Sequence, residues 1–211
     1  MKLIIILAVL SLFLLAGCSG SAESGDSPYE SSRDLPENAE ELVVAGGCFW
    51  CVEADLEKVP GVVEVISGYT GGPEKDPTYK QVAMGLTGHY EAVKIIYDPD
   101  RVSLAAILDV FWKHIDPTDP GGQFVDRGMQ YRTAIFYANE RQQELAEESK
   151  AALEASGRLD KPVVTEILPL GDFYPAEEYH QDYYLNNLFN YKRYRSGSGR
   201  DQFIDRVWGE E

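Results

Sequence analysis

The chain has 211 residues, 44% of them hydrophobic and 11% aromatic, enough to bury one core of ordinary size or at most two small ones. Its 35 acidic residues against 19 basic ones give a formal net charge of −16, which argues against nucleic-acid binding because little here would neutralise a phosphate backbone. The acidity otherwise bears on solubility and says nothing of fold.

The chain opens on what reads as a targeting signal. Lys2 supplies a positive charge, and Leu3 to Leu15 is an almost unbroken apolar run, too short for a comfortable spanning helix. Leu15, Ala16, Gly17 and Cys18 follow, a pattern that resembles a bacterial lipobox. The resemblance implies a lipoprotein signal peptide over residues 1–17, cut before Cys18, which would carry the lipid. The alternative is a plain secretory signal with an incidental cysteine. Ser19 stands where an Asp would suggest inner-membrane retention, so the expected location is outside the cytoplasm: a bacterial lipoprotein anchored to the outer membrane, in the periplasm, where the cell has one. Residues 18–40 hold Ser, Gly, Pro and acids, with Arg33 the only base, and read as a flexible acidic linker. Residues 41–211 form the predicted folded domain.

Within it, Leu42 to Ala45 reads as a buried strand, broken by Gly46 and Gly47. A helical pattern runs from Cys48 to about Val59, ended by Pro60 and Gly61. Val62 to Ile66 reads as a strand and Ser67 to Pro77 as a glycine-rich loop. Glu91 to Tyr97 alternates as a strand does. Ser103 can cap a helix to about His114, with Leu104, Ile107, Leu108 and Phe111 on one face. After a long loop from Asp116 to Gln130 come a strand over Tyr131–Tyr137 and a helix to about Ala155 opened by an Asn139/Gln142 capping box. Val163 to Leu168 reads as a strand and Ala176 to Asn187 as a short helix, and the tail from Asn190 shows little periodicity. Strands and helices mix without strict alternation, which predicts an α+β fold: a two-layer sandwich of a mixed or largely antiparallel sheet with packed helices.

Chemistry concentrates at Gly46-Gly47-Cys48-Phe49-Trp50-Cys51. With Cys18 assigned to lipid, two cysteines remain, and they close too short a loop to stabilise the chain appreciably. Glycines permit a tight turn into a helix whose N-terminus should lower the Cys48 pKa and make it nucleophilic. Cys51, one turn on, can attack whatever Cys48 becomes. Phe49 and Trp50 either pack in the core or line a pocket for an apolar group. Half a zinc site is disfavoured, since no second cysteine pair exists and His89, His114 and His180 lack ligand spacing, so no metal is expected. A thioredoxin-like dithiol exchanger fits the spacing, though not the bulky intervening pair. A cysteine hydrolase stays open, and so does a surface-binding lipoprotein with an inert cysteine pair.

The stretch Gly46–Glu53 resembles the Gly-Cys-Phe-Trp signature of the A-type peptide methionine sulfoxide reductases, known as the MsrA family. The resemblance continues through Ser67–Gly72, Asp76–Tyr79, Gly88–Val93, Asp126–Ile135 and Phe173–Gln181, and covers about Leu42 to Tyr194. It implies a ferredoxin-like core and reduction of the S epimer of methionine sulfoxide, free or in proteins, as protein repair under oxidative stress. By the same resemblance, the Cys48 thiolate attacks the sulfoxide sulfur and Glu91 protonates the departing oxygen. Tyr79 and Tyr131 bond that oxygen, Asp126 orients or holds water, and Phe49 and Trp50 receive the methyl group. Cys48 is left as a sulfenic acid, resolved to a Cys48–Cys51 disulfide. No bound cofactor is implied; an external dithiol of thioredoxin type is the expected reductant. A monomer is expected, with the membrane met through the lipid anchor. Many relatives carry a resolving cysteine in the C-terminal tail. Here Ser196-Gly197-Ser198-Gly199 holds none, which leaves Cys51 as the candidate resolver. Tyr90 stands where relatives often have a small residue. His180 falls in a matching stretch without an assigned role. A general dithiol–disulfide exchanger is the alternative function.

Overall fold

The computed structural model describes Tyr29 and residues 33–209; Cys18 and the signal segment lie outside them. In chain order the elements are β1 (Glu40–Gly46), α1 (Phe49–Leu56), β2 (Val62–Thr70), α2 (Tyr79–Ala83), β3 (Tyr90–Tyr97), α3 (Leu104–Lys113), β4 (Gly122–Gln123), β5 (Asp126–Arg127), β6 (Thr133–Tyr137), α4 (Glu140–Ala155), β7 (Glu166–Pro169), β8 (Phe173–Pro175), α5 (Tyr183–Asn186), α6 (Leu188–Ser198) and α7 (Arg200–Trp208). Six strands form one mixed sheet in the order β7-β6-β1-β3-β2-β8, and β4 and β5 pair as a separate small ribbon. Only the β6–β7 pairing in the large sheet is parallel. The α+β expectation therefore holds.

β1 lies at the centre and is buried on both faces, which is why its sequence is a continuous apolar run and not an alternation. Leu42 and Val44 join Val93, Ile95, Tyr97 and Ile135 in the core shared with α1 and α3. Val43 and Ala45 face the other way, into a smaller cluster with Tyr90, Ala92 and Phe136 that Met129, Leu168 and Phe173 cover. Ser103 caps α3 by accepting from the Ala106 N–H at 3.2 Å. Asn139 caps α4, but Gln142 does not close a box on it. The Gln142 side chain accepts from the Ala138 N–H and donates to the Glu41 carbonyl at 2.7 Å, tying α4 to β1.

Three expectations are corrected. Ser67 to Thr70 continues β2 and is not loop, because Tyr69 and Thr70 pair with both β3 and β8. The predicted helix over 176–187 is broken into a 3₁₀ turn at Glu178–His180 and the four-residue α5. Its break has a visible cause: Gln181 turns its amide onto the backbone of Ser67, accepting its N–H at 2.9 Å and donating to its carbonyl at 3.0 Å, and Asp182 follows with φ +51°. The tail is not irregular but forms α6 and α7, hinged at Gly199 with φ +90°. The end of the linker is also held. Arg33 ion-pairs with Glu57 and Asp182 and donates to the Val63 carbonyl at 2.7 Å, while the Tyr29 hydroxyl donates to Glu64 at 2.8 Å.

Candidate active site

Strand pairing brings the site together. β3 and β6 both run antiparallel to β1, so their first residues lie beside its last ones: Val93 pairs with Val44, and Thr133 with Gly46. Glu91, near the start of β3, and Tyr131, just before β6, are thereby placed at the end of β1, where the chain turns into α1. Gly47 makes that turn at φ +81°, and a Cβ there would stand 2.5 Å from Gln123 Cβ, so only glycine fits. Cys48 then occupies the N-cap of α1. Seven of the predicted residues, Cys48, Phe49, Trp50, Tyr79, Glu91, Asp126 and Tyr131, line one cavity of about 110 Å³ together with Tyr194. Cys51 does not line it; it packs with Cys48, Ala54 and Tyr191 and is fully buried. Both thiols are free.

Glu91 is buried at the cavity. Its carboxylate accepts from the Phe49 N–H at 3.2 Å and from the Tyr131 hydroxyl, yet desolvation outweighs both and raises its pKa to about 8. At neutral pH the carboxyl is therefore mostly protonated. Asp126 is raised too, by its own burial, against the Tyr194 hydroxyl that donates to it and the charge of Arg200. Burial and the surrounding acids hold the Tyr79 and Tyr131 hydroxyls protonated, as donors.

The expectation that the helix N-terminus lowers the Cys48 pKa is overturned. The Phe49 N–H that would have favoured a thiolate goes to Glu91. Burial, the Cys51 thiol and the neighbouring Glu91 and Asp126 push Cys48 well above an ordinary thiol. Cys51 moves the other way, down to about 7, chiefly because Cys48 hydrogen-bonds it, with Arg200 and Arg195 adding positive charge against burial.

Trp50 forms the far wall. Its ring stacks on Tyr183 at 3.9 Å between centroids and 11° between planes, and its indole N–H donates to His180 Nδ1 at 3.1 Å. His180 is buried, which lowers its pKa to about 4, so the ring is neutral and carries its proton on Nε2. That nitrogen has no hydrogen-bond partner and faces Glu177 at 4.0 Å. His180 thus gains a role that its sequence context left unassigned: it orients Trp50. Tyr183 and Tyr194 also escaped the residue-by-residue reading. Their signal, a run of tyrosines in a polar tail, has no periodicity to mark it. Among the described residues no group of three or more His, Cys, Asp or Glu side chains is arranged to hold a metal ion.

A buried cysteine pair beside a protonated carboxyl and two tyrosine hydroxyls defines a thiol-dependent oxidoreductase site, and comparison with known proteins gives its family. The sequence profile described as peptide methionine sulfoxide reductase matches residues 40–211. A peptide methionine sulfoxide reductase MsrA of Halalkalibacterium halodurans is 53% identical over 176 residues, 83% of this chain and all of the relative. Among solved structures, Mxr1 of Saccharomyces cerevisiae in reduced form superposes with a TM-score of 0.69 at 29% identity, covering 77% of this chain and 93% of that one. Methionine sulfoxide reductase A of Corynebacterium diphtheriae gives 0.65 at 34% identity, covering 72% and 77%. The chain belongs to the peptide methionine sulfoxide reductase family.

Proposed function

We propose that this chain reduces the S epimer of methionine sulfoxide, free or within oxidised proteins, with Cys48 as nucleophile. The observation that carries the reading is the convergence on Cys48 of a protonated Glu91 and the Tyr79 and Tyr131 hydroxyls around a cavity of about 110 Å³. A sulfoxide oxygen is a very poor leaving group until it is protonated, and these groups supply a proton and two donors where its charge builds. The aromatic wall of Phe49 and Trp50 suits the S-methyl group.

The electron count is simple. The Cys48 sulfur attacks the sulfoxide sulfur as Glu91 gives the oxygen its proton. The S–S bond so formed and the methionine S–O bond then break as the oxygen passes to the Cys48 sulfur, so that methionine leaves with its sulfur reduced by two electrons and Cys48, oxidised by two, is a sulfenic acid. The raised Cys48 pKa fits this order of events. The thiol is quiescent until a sulfoxide fills the cavity, and the proton that Glu91 gives up can be replaced from Cys48. Cys51 then displaces water from the sulfenic acid, giving a Cys48–Cys51 disulfide, and a dithiol of thioredoxin type restores both thiols. Closing that bond within one helical turn requires the first turn of α1 to unwind. The lipobox-like Leu15–Cys18 supports a lipid-anchored enzyme working outside the cytoplasm. No helix among the described residues is long and apolar enough to cross a membrane.

The test is single-turnover and steady-state reduction of separated R and S epimers of a blocked methionine sulfoxide. Only the S epimer should be consumed. Cys48→Ser should form no methionine, and Cys51→Ser should form one equivalent and stall with thioredoxin. Consumption of neither epimer by the wild type, with reduction of a protein disulfide instead, would replace this reading with a dithiol exchanger.

A further inference from the structure

α7 delivers a buried cation to the back of the cysteine pair. Arg200, the first residue of α7, is 1% exposed. One guanidinium nitrogen donates to the Gly46 carbonyl at 2.9 Å and the other to the His114 carbonyl at 2.5 Å. The group lies over the Phe124 ring at 4.8 Å, and Nε has no hydrogen-bond partner. Gly46 is two residues before Cys48, so the charge is fastened to the turn that presents the cysteines.

The neighbouring Arg195 makes the contrast. Its charge is matched by Asp55 at 2.7 Å and by Asp201 at 2.7 Å. No carboxylate is paired with Arg200 among the described residues; its hydrogen bonds go to neutral carbonyls. An unmatched buried cation is costly, and it is retained most economically where an anion forms beside it. Two groups feel it: Asp126 and Cys51.

We propose that Arg200 is a positioning residue for the second half of the reaction. It holds Cys51 as the thiolate that attacks the Cys48 sulfenic acid, and it stabilises the same thiolate when the disulfide is reopened. The inference rests on the methionine sulfoxide reductase reading and concerns a step after methionine has formed. In the forward step the Cys51 electron pair forms the S–S bond, the S–O bond of the sulfenic acid breaks, and hydroxide leaves to be protonated to water. In the reverse half, the dithiol named above attacks the Cys48 sulfur, which is the one that meets the cavity, and the S–S pair returns to Cys51. The groups facing Cys51 are the Cys48 thiol, Arg200, Arg195, Asp55, Tyr191, Tyr194 and Glu91. Of these, Arg200 alone contributes a positive charge unmatched by a carboxylate.

The experiment mixes the reduced full-length chain with one equivalent of blocked methionine S-sulfoxide without external reductant. Rapid quenching reads methionine formed and free thiols remaining as separate signals, across pH. In Arg200→Met, methionine should form within about twofold of the wild-type rate while thiol loss slows about tenfold or more and its pH midpoint rises toward the ordinary thiol value of about 8.5. Arg200→Lys, which keeps the charge, should keep the wild-type pH midpoint. Equal slowing of methionine formation and thiol loss, or wild-type thiol loss in Arg200→Met, overturns the proposal. If Arg200→Met does not fold, Arg200→Gln, which keeps N–H donors toward the two carbonyls without the charge, gives the same reading: slowed thiol loss with unchanged methionine formation supports the proposal, and wild-type thiol loss overturns it. Absence of methionine in the wild type is a different result, and it defeats the reductase reading itself.

Discussion

On one side of the Cys48 cavity stand Glu91, on a strand whose register is fixed across the sheet, and Tyr131, at the end of a 3₁₀ turn just before β6. On the other stand Trp50, backed by His180 of a 3₁₀ turn and by Tyr183 of the four-residue α5, and Tyr194 of α6. The sheet side is anchored by backbone pairing and by a continuous apolar core, so its geometry does not depend on any one side chain. The opposite wall depends on a few side-chain polar contacts: His180 on Trp50, Tyr194 on Asp126, and the Gln181 amide on Ser67. Under the proposed function, the sheet side would present the acid to a sulfoxide oxygen, and the opposite wall would meet the rest of the substrate. The two sides should therefore fail differently when perturbed.

The largest effect is expected on the rigid side. Glu91→Gln removes the proton donor while leaving an oxygen to accept the Phe49 N–H, and single-turnover methionine formation should fall about 10²- to 10⁴-fold. The sign of the pH dependence follows from the raised pKa. The acid form is active, so the wild-type rate should fall as pH rises through about 8, and the variant should lack that limb. Stability follows the same proton. The unfolded chain would release it near 4.5 and the folded chain near 8, so Glu91 favours folding at acid pH and that contribution is lost as pH rises through this window. Denaturant melts at pH 5 and pH 9 should show the variant gaining on the wild type at the higher pH. A variant with wild-type single-turnover kinetics would remove Glu91 from the mechanism.

The same division explains what the sequence disclosed. β1 was legible as a short apolar run, β3 and α3 by their periodicity, and α4 by its Asn139 cap, and the structure has all of them together with β6, with the two helices capped by Ser103 and Asn139. The α1 start was marked by Gly46 and Gly47, and the site residues there were named through the family resemblance. Ser67 to Thr70 was hidden because glycine and polar residues in a strand that is paired on both sides look like a loop. α6 and α7 were hidden because their buried residues are Tyr191, Ser198, Arg200 and Phe203 and not an aliphatic stripe. Cys48 misled for a different reason. A helix N-terminus is legible in sequence, but the carboxyl that takes its N–H comes from a residue 42 positions away.

A smaller effect is expected on the adaptable wall. In His180→Phe the indole N–H of the half-buried Trp50 loses its acceptor, at a cost of about 1 kcal/mol. Because His180 positions the wall and does not handle the proton, KM for a peptide substrate should rise about five- to tenfold with a lesser change in kcat. The His180 pKa of about 4 adds a second check. The imidazole stays neutral above pH 5, so the activity profile between pH 5 and 7 should have the same shape in wild type and variant. An acid limb near 6 that the variant abolishes would assign His180 a proton-transfer role instead.

The smallest effect is expected where the linker meets the domain. Arg33 reaches Glu57 and Asp182 from a side chain that is 37% exposed, and solvent screening limits such pairs to about 0–1 kcal/mol. Asp182 is nonetheless the residue whose N–H donates to the buried Glu53 and which precedes Tyr183, the ring stacked on Trp50. Arg33→Ala should lower stability by less than about 1 kcal/mol and leave single-turnover kinetics on a free sulfoxide unchanged. The effect should shrink as salt is raised, since the contact is a surface one. A change of several-fold in turnover on peptide substrates would show that this contact reaches the Tyr183–Trp50 wall, and that the linker's last residues help to hold the adaptable side of the cavity.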